Sequence, residues 1–164
     1  MGLVKRVFPD ALVSTWYLRY YGLTKIPLLF FVRPSVVEKS DERVVIKIPL
    51  GRRTRNHRGS MYFAALAIGA DCCVGLLAVT MINKQQENIS FIFRNFHADF
   101  YRRANADVYF SCNQGREIAG LVDQAANQDE RIELPLDAIA TVPSESDQPV
   151  ARFCLTLSLK RLSS

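Results

Sequence analysis

At 164 residues the chain is long enough to bury a core as one domain, and 49% hydrophobic with 23% charged residues excludes both wholesale disorder and a polytopic membrane protein. The formal net charge of +5 is modest and partly gathered in residues 51–58, "GRRTRNHR", which read as a solvated basic loop. No recognition-helix motif or metal-finger spacing accompanies it, so no nucleic-acid partner is expected.

In chain order, an amphipathic helix is predicted over residues 10–21, with Asp10 as its cap after Pro9 and Gly22 as its stop. Its Trp16, Tyr17, Tyr20 and Tyr21 form a packing face first and a ligand surface second. Residues 25–34, "KIPLLFFVRP", are apolar, short and closed by prolines, the pattern of a buried connector. Over 43–50, Val44, Ile46, Ile48 and Leu50 alternate with Val45, Lys47 and Pro49, the period of a strand with one buried face. The basic loop and a long helix over 61–82 follow. After the turn "NKQQEN", a strand over 89–103 is expected to pair with another over 106–112 in a hairpin around "RRANAD". Residues 115–128 read as a short helix carrying Ile118, Leu121 and Val122, weakened by Gly120. Strict alternation over 131–142 and 152–160 gives two further strands, joined by the turn "PSESDQP".

Several strands with one buried face and one helix apolar all round imply an α+β fold in which a curved antiparallel sheet wraps around that helix. A single domain over 1–164 is expected, with an N-terminal helix and connector in 1–34 and the core in 35–162. The four cysteines, Cys72, Cys73, Cys112 and Cys154, form no C-x-x-C pair and read as buried free thiols. The N-terminal stretch is interrupted by Pro9, Asp10 and Arg19 and has no cleavage-site pattern, so no signal peptide is read and the expected location is cytoplasmic.

Residues 59–82 have the length of a membrane span, but Asp71 at the centre and many small residues favour a buried core helix. Helical spacing sorts this segment into two faces. Phe63, Leu66, Ala70, Cys73, Leu77 and Met81 form a large stripe suited to the sheet, while Asp71 shares its face with the smaller Ala64, Ala67, Ile68, Gly75 and Ala78. Two roles fit Asp71: a carboxylate held by polar donors that fixes the helix register, or a general base or nucleophile whose pKa is raised by an apolar wall. The stretch "NHRGS" can gather Asn56, Ser60 and the free N–H groups of the helix's first turn, where an oxyanion is stabilised.

The order of elements and the fifteen residues from Asn56 to Asp71 resemble the hotdog-fold acyl-CoA thioesterases of the phenylacetic-acid-degradation type. The wording "NHRGSMYFAALAIGAD" is also similar to the hotdog branch DUF4442, and the resemblance covers roughly residues 10–161. In the thioesterases a loop Asn precedes a His-Gly-Gly and a helical acid. Here the Asn falls on Asn56, the His-Gly-Gly on Tyr62, Phe63 and Ala64, and the acid on Asp71. The resemblance implies an acyl-CoA or acyl carrier protein thioesterase, a homodimer or dimer of dimers with sites at the interface, and no cofactor beyond the CoA moiety of the substrate. It assigns Asp71, Asn56 and Ser60 to catalysis, the backbone of Phe63 and Ala64 to the oxyanion, and Tyr62, Ala67, Ile68, Arg102 and Arg103 to substrate, with Arg52, Arg53 or Arg55 as further phosphate ligands. A non-catalytic acyl-binding module is the alternative, since the aromatic Tyr62 and Phe63 stand at the start of the His-Gly-Gly positions. A dehydratase is a third, needing His57 or His97 beside the acid; neither histidine has metal-site spacing.

Overall fold

The computed structural model describes residues 10–86 and 88–162. Pro9, invoked above as a helix-start cue, lies outside them, as does the side chain of Asp10 as its cap. Helix α1 spans Asp10–Lys25 and α2 Pro27–Val32; strand β1 is Ser35–Lys39 and β2 Val44–Ile48. Helix α3 is Phe63–Gln85, followed by β3 (Ile89–Phe100), β4 (Val108–Cys112), α4 (Gly115–Ala126), β5 (Ile132–Val142) and β6 (Ser146–Arg161).

The six strands form one sheet in the order β1-β2-β4-β5-β6-β3, and every neighbouring pair is antiparallel. The alternation read from the sequence decides its faces. Val44, Ile46 and Ile48 of β2, Phe110 of β4, Leu136, Ala138 and Ala140 of β5, and Phe153, Leu155, Leu157 and Leu159 of β6 are buried together. Register brings Ile46 opposite Phe110, Phe110 opposite Ala140 and Ala138 opposite Phe153, so these side chains share one face. Helix α3 lies across that face, touching β2, β4, β5 and β6, and α4 packs beside it on β5 and β6. Of the described residues only α3 is long and apolar enough to cross a membrane by length and composition, and it is instead the core helix, two-thirds buried over its apolar window.

The expected hairpin between residues 89–103 and 106–112 does not form. Strand β3 pairs with β6 at one edge, whereas β4 lies between β2 and β5. The connecting residues cross the start of α3, where the Met61 N–H donates to the Ala104 carbonyl at 2.8 Å, and this carries the chain from the sheet edge to its middle. Residues 35–39, not read as a strand, close the other edge as β1.

The connector 25–34 is not wholly buried either. It holds α2, with Leu29 and Val32 inside but Leu28, Phe30 and Phe31 exposed. Gly22 does not stop α1, which continues to Lys25; its missing side chain lets α2 approach, since a Cβ there would lie 2.8 Å from the Phe30 nitrogen. Two side chains anchor α1 to β1: the Thr15 hydroxyl accepts from the Val36 N–H at 2.8 Å, and Arg19 donates to the Pro34 carbonyl and the Ser35 hydroxyl, each at 3.0 Å. The aromatic set of α1 divides accordingly. Trp16 and Tyr20 point to solvent, 73% and 67% exposed, rather than forming a packing face.

Candidate active site

Asp71 sits a third of the way along α3 and is half-buried. It lines a half-open cavity of about 520 Å³ to which four elements contribute. The cavity is lined along α3 by Asp71, Cys72, Gly75, Leu76, Val79 and Asn83, from α1, α2 and the Ile26 link between them by Tyr17, Leu18, Tyr21 and Leu29, and from β3 by Phe91, Ile92 and Phe93. Among the described residues no hydrogen bond or ion pair reaches the carboxylate, and burial alone pushes its pKa above the ordinary aspartate value of 3.8. The register-fixing role needed polar donors, and the described residues supply none.

The neighbouring thiols are of another kind. Burial pushes Cys72 and Cys73 far above the usual thiol range, and the Cys73 Sγ donates to the carbonyls of Val44 and Phe110. They are packed, protonated side chains.

The loop before α3 is closed on itself. Asn56 Nδ2 donates to the Ser60 Oγ at 3.0 Å, the Asn56 N–H to the Ser60 carbonyl at 2.8 Å, and the Arg58 N–H to Asn56 Oδ1 at 2.9 Å. Ser60 is buried, and the pair brings the chain to Tyr62, whose extended backbone (φ −70°, ψ 139°) starts the helix without a side-chain cap. The first intrahelical bond runs from the Leu66 N–H to the Tyr62 carbonyl, which leaves the N–H groups of Phe63, Ala64 and Ala65 outside the helical ladder. Tyr62 and Phe63 are 46% and 58% exposed and meet edge to face at 4.8 Å, with Phe100 6.5 Å beyond. Phe63 therefore does not belong to the buried stripe, which is made by Leu66, Ala70, Cys73, Leu77 and Met81.

Two arginine-bearing segments far apart in sequence are joined through their backbones at this helix end. The link between Met61 and Ala104 sets Arg102 and Arg103 beside the loop carrying Arg52, Arg53, Arg55 and Arg58, all exposed. Arg102 and Arg103 follow β3 and do not sit in a hairpin turn; Arg102 donates to the Gln148 carbonyl, and Arg53 lies over the Phe31 ring at 5.4 Å.

Ala67 and Ile68 lie a turn before Asp71, half-buried and outside the cavity wall, and Ala78 faces the core. The cavity face follows Asp71, Gly75 and Val79 instead. The two histidines are both elsewhere. His57 is exposed in the loop, and His97 is exposed on β3 against Asp99 at 3.3 Å, its neighbours Phe96 and Ala98 turned to the opposite face. Tyr17 and Tyr21, read only as a secondary ligand surface, are the site residues that the sequence reading undervalued; the 100° step separating them from Trp16 and Tyr20 was the available signal.

A family model for a domain of unknown function (DUF4442) matches residues 15–157. Among solved structures, the chain is similar to a protein of unknown function from Chlorobaculum tepidum TLS, with 10% identity over 94% of this chain and 100% of that one, at a TM-score of 0.79. A protein of unknown function from Pseudomonas aeruginosa, a probable thioesterase, matches with 21% identity over 90% and 96% at a TM-score of 0.76. A thioesterase from Haemophilus influenzae matches with 11% identity over 88% and 90% at a TM-score of 0.64. No curated protein sequence matches. With the antiparallel sheet laid across one long apolar helix, these likenesses establish a hotdog fold, and the chain belongs to the DUF4442 family.

Proposed function

We propose that this protein is a homodimeric thioesterase that hydrolyses an acyl-CoA or acyl carrier protein thioester. The observation that carries the reading is Asp71, a carboxylate without a partner among the described residues, facing an apolar cavity with its pKa raised by burial. The thioesterase designation of two of the similar structures supports it. In this reading Asp71 takes a proton from water and the resulting hydroxide adds to the thioester carbonyl carbon. The N–H groups of Phe63 and Ala64 hold the oxyanion. Collapse breaks the C–S bond, and the proton on Asp71 passes to the departing thiolate. Asn56 and Ser60 position the helix start, and arginines of the two joined segments meet the phosphates of CoA.

Distance supports the dimer in this reading. Ala64 and Asp71 are seven residues apart on one helix, about 10 Å along its axis. A carbonyl within hydrogen-bond reach of one is out of reach of the other. Two copies related by a two-fold axis, with their α3 helices antiparallel, bring the helix start of each to the Asp71 of the other. The free edge of β3 and the exposed Phe96 and Phe100 on its inner face offer the surface for such pairing.

Thiol release from a panel of acyl-CoA substrates tests the reading. Asp71→Asn is expected to lower kcat/KM by about 10³-fold. Turnover of no substrate, or an Asp71→Asn enzyme as fast as the parent, removes the mechanism. The exposed Tyr62–Phe63 pair favours one other reading, an acyl-binding protein without hydrolysis, because the rings narrow the approach to the first-turn N–H groups. It predicts saturable acyl-CoA binding with no thiol released.

A further inference from the structure

Helix α3 contains two glycines, and packing accounts for one. A Cβ on Gly69 would meet the Phe110 ring at 2.3 Å, so the helix and β4 can approach only if that position is bare. A Cβ on Gly75 would meet nothing nearer than the Phe93 ring at 3.9 Å, an ordinary contact, and its φ is not in the left-handed region. Glycine inside a helix costs about 1 kcal/mol relative to alanine. Neither backbone conformation nor crowding requires it here. What its missing side chain leaves open is the cavity, which Gly75 lines one turn beyond Asp71.

The cavity has a direction. Asp71 and Asn83 mark its extent along α3, twelve residues apart and so about 18 Å. Between them the lining is almost wholly apolar, with Leu76 and Val79 from α3, Leu29 from α2 and Phe93 from β3. The stacked Tyr17 and Tyr21 rings, 6.4 Å apart, border it on the outer side. A carbon chain with bonds of about 1.5 Å meeting near 111° advances about 1.25 Å per carbon, so this length suits about fourteen carbons. Counted from a carbonyl beside Asp71, such a chain passes Gly75 near its fifth carbon and Val79 near its tenth, at about 6 and 12 Å of helical rise.

We propose that the cavity is a slot for a linear medium- to long-chain acyl group and that Gly75 is the residue that admits the chain beyond its first few carbons. The location of the carbonyl beside Asp71 rests on the thioesterase reading; the slot itself does not. Calorimetric titration of the full chain with the unhydrolysable thioethers dodecyl-CoA and butyl-CoA tests it. The parent is expected to bind dodecyl-CoA at least about tenfold more tightly than butyl-CoA, from the added apolar burial. Gly75→Leu is expected to erase that advantage. Gly75→Ala is expected to reduce it while raising Tm, a combination that a merely structural glycine would not give. If Gly75→Leu does not fold, Gly75→Ala together with Val79→Phe decides, the latter lowering affinity for dodecyl-CoA but not for octyl-CoA. Equal binding of both lengths by the parent, or folded variants that keep the parent's ratio, overturns the slot. Thiol release is scored separately, on the thioesters dodecanoyl-CoA and butanoyl-CoA. Length-selective binding without it ends the thioesterase reading and leaves the slot standing, whereas thiol release at equal kcat/KM for both lengths does the reverse.

Discussion

The carboxylate of Asp71 is held above its ordinary pKa by burial alone, and this has opposite consequences for stability and activity. Between the unfolded and folded pKa values the native chain keeps a proton that the unfolded chain has lost. Stability therefore falls as pH rises through that window, and the full cost of an ionised, half-buried carboxylate is present above it. Asp71→Asn, similar in size and uncharged, is expected to melt at a higher temperature than the parent at pH 7. The gap should close as pH falls below the unfolded value of 3.8, and differential scanning fluorimetry across pH reads it directly. Lower activity with higher stability in one variant is the signature of a group retained for chemistry rather than for folding. The acid limb of kcat/KM against pH should likewise lie above that of an exposed aspartate. Asp71 was legible in the sequence because a lone acid in an apolar run has no ordinary explanation. The residues facing it were not, since Tyr17, Leu29 and Phe93 reach it from elements distant along the chain.

Within α3, local pattern and tertiary contact carry different information. The buried stripe from Leu66 to Met81 follows helical spacing and could be read directly, while the separate roles of Gly69 and Gly75 depend on what lies opposite. Gly69→Ala pushes a methyl group into the fully buried Phe110 ring. It is expected to destabilise the fold by about 1–3 kcal/mol, measured by urea denaturation, whereas the same change at Gly75 should stabilise it. The strands divide in the same way. Those of β2, β5 and β6 were evident because apolar residues recur in each with a period of two. The partner of β3 was not, because pairing with β6 rather than β4 depends on the chain crossing the α3 terminus at Ala104, a contact with no local sequence signal. β1 escaped notice for a related reason: at the sheet edge only Val36 is buried, so its period is too short to read.

At the scale of the whole molecule, the proposed chemistry requires two chains. Asp71 and the first-turn N–H groups lie about 10 Å apart within one protomer, so in the proposed dimer each site would draw its acid from one copy and its oxyanion donors from the other. Proline offers a way to remove one donor without breaking the helix. Tyr62 already has the extended backbone that a following proline demands, and position 63 is the first residue of α3, where proline is well tolerated. Phe63→Pro is therefore expected to keep the helical circular dichroism of the parent and to lose about 10²-fold or more in kcat. Phe63→Pro and Asp71→Asn proteins, each nearly inactive alone, can then be unfolded together and refolded. Random pairing makes half of the dimers mixed, and each mixed dimer holds one site with both functional groups and one with neither. The mixture should recover about one quarter of the parent's thiol-release rate if the two groups of each site come from different subunits. If acid and donors serve the same site within one chain, every site keeps its single defect and mixing restores nothing. The two arrangements are thus separated by one rate measurement, with the unmixed variants as its baseline.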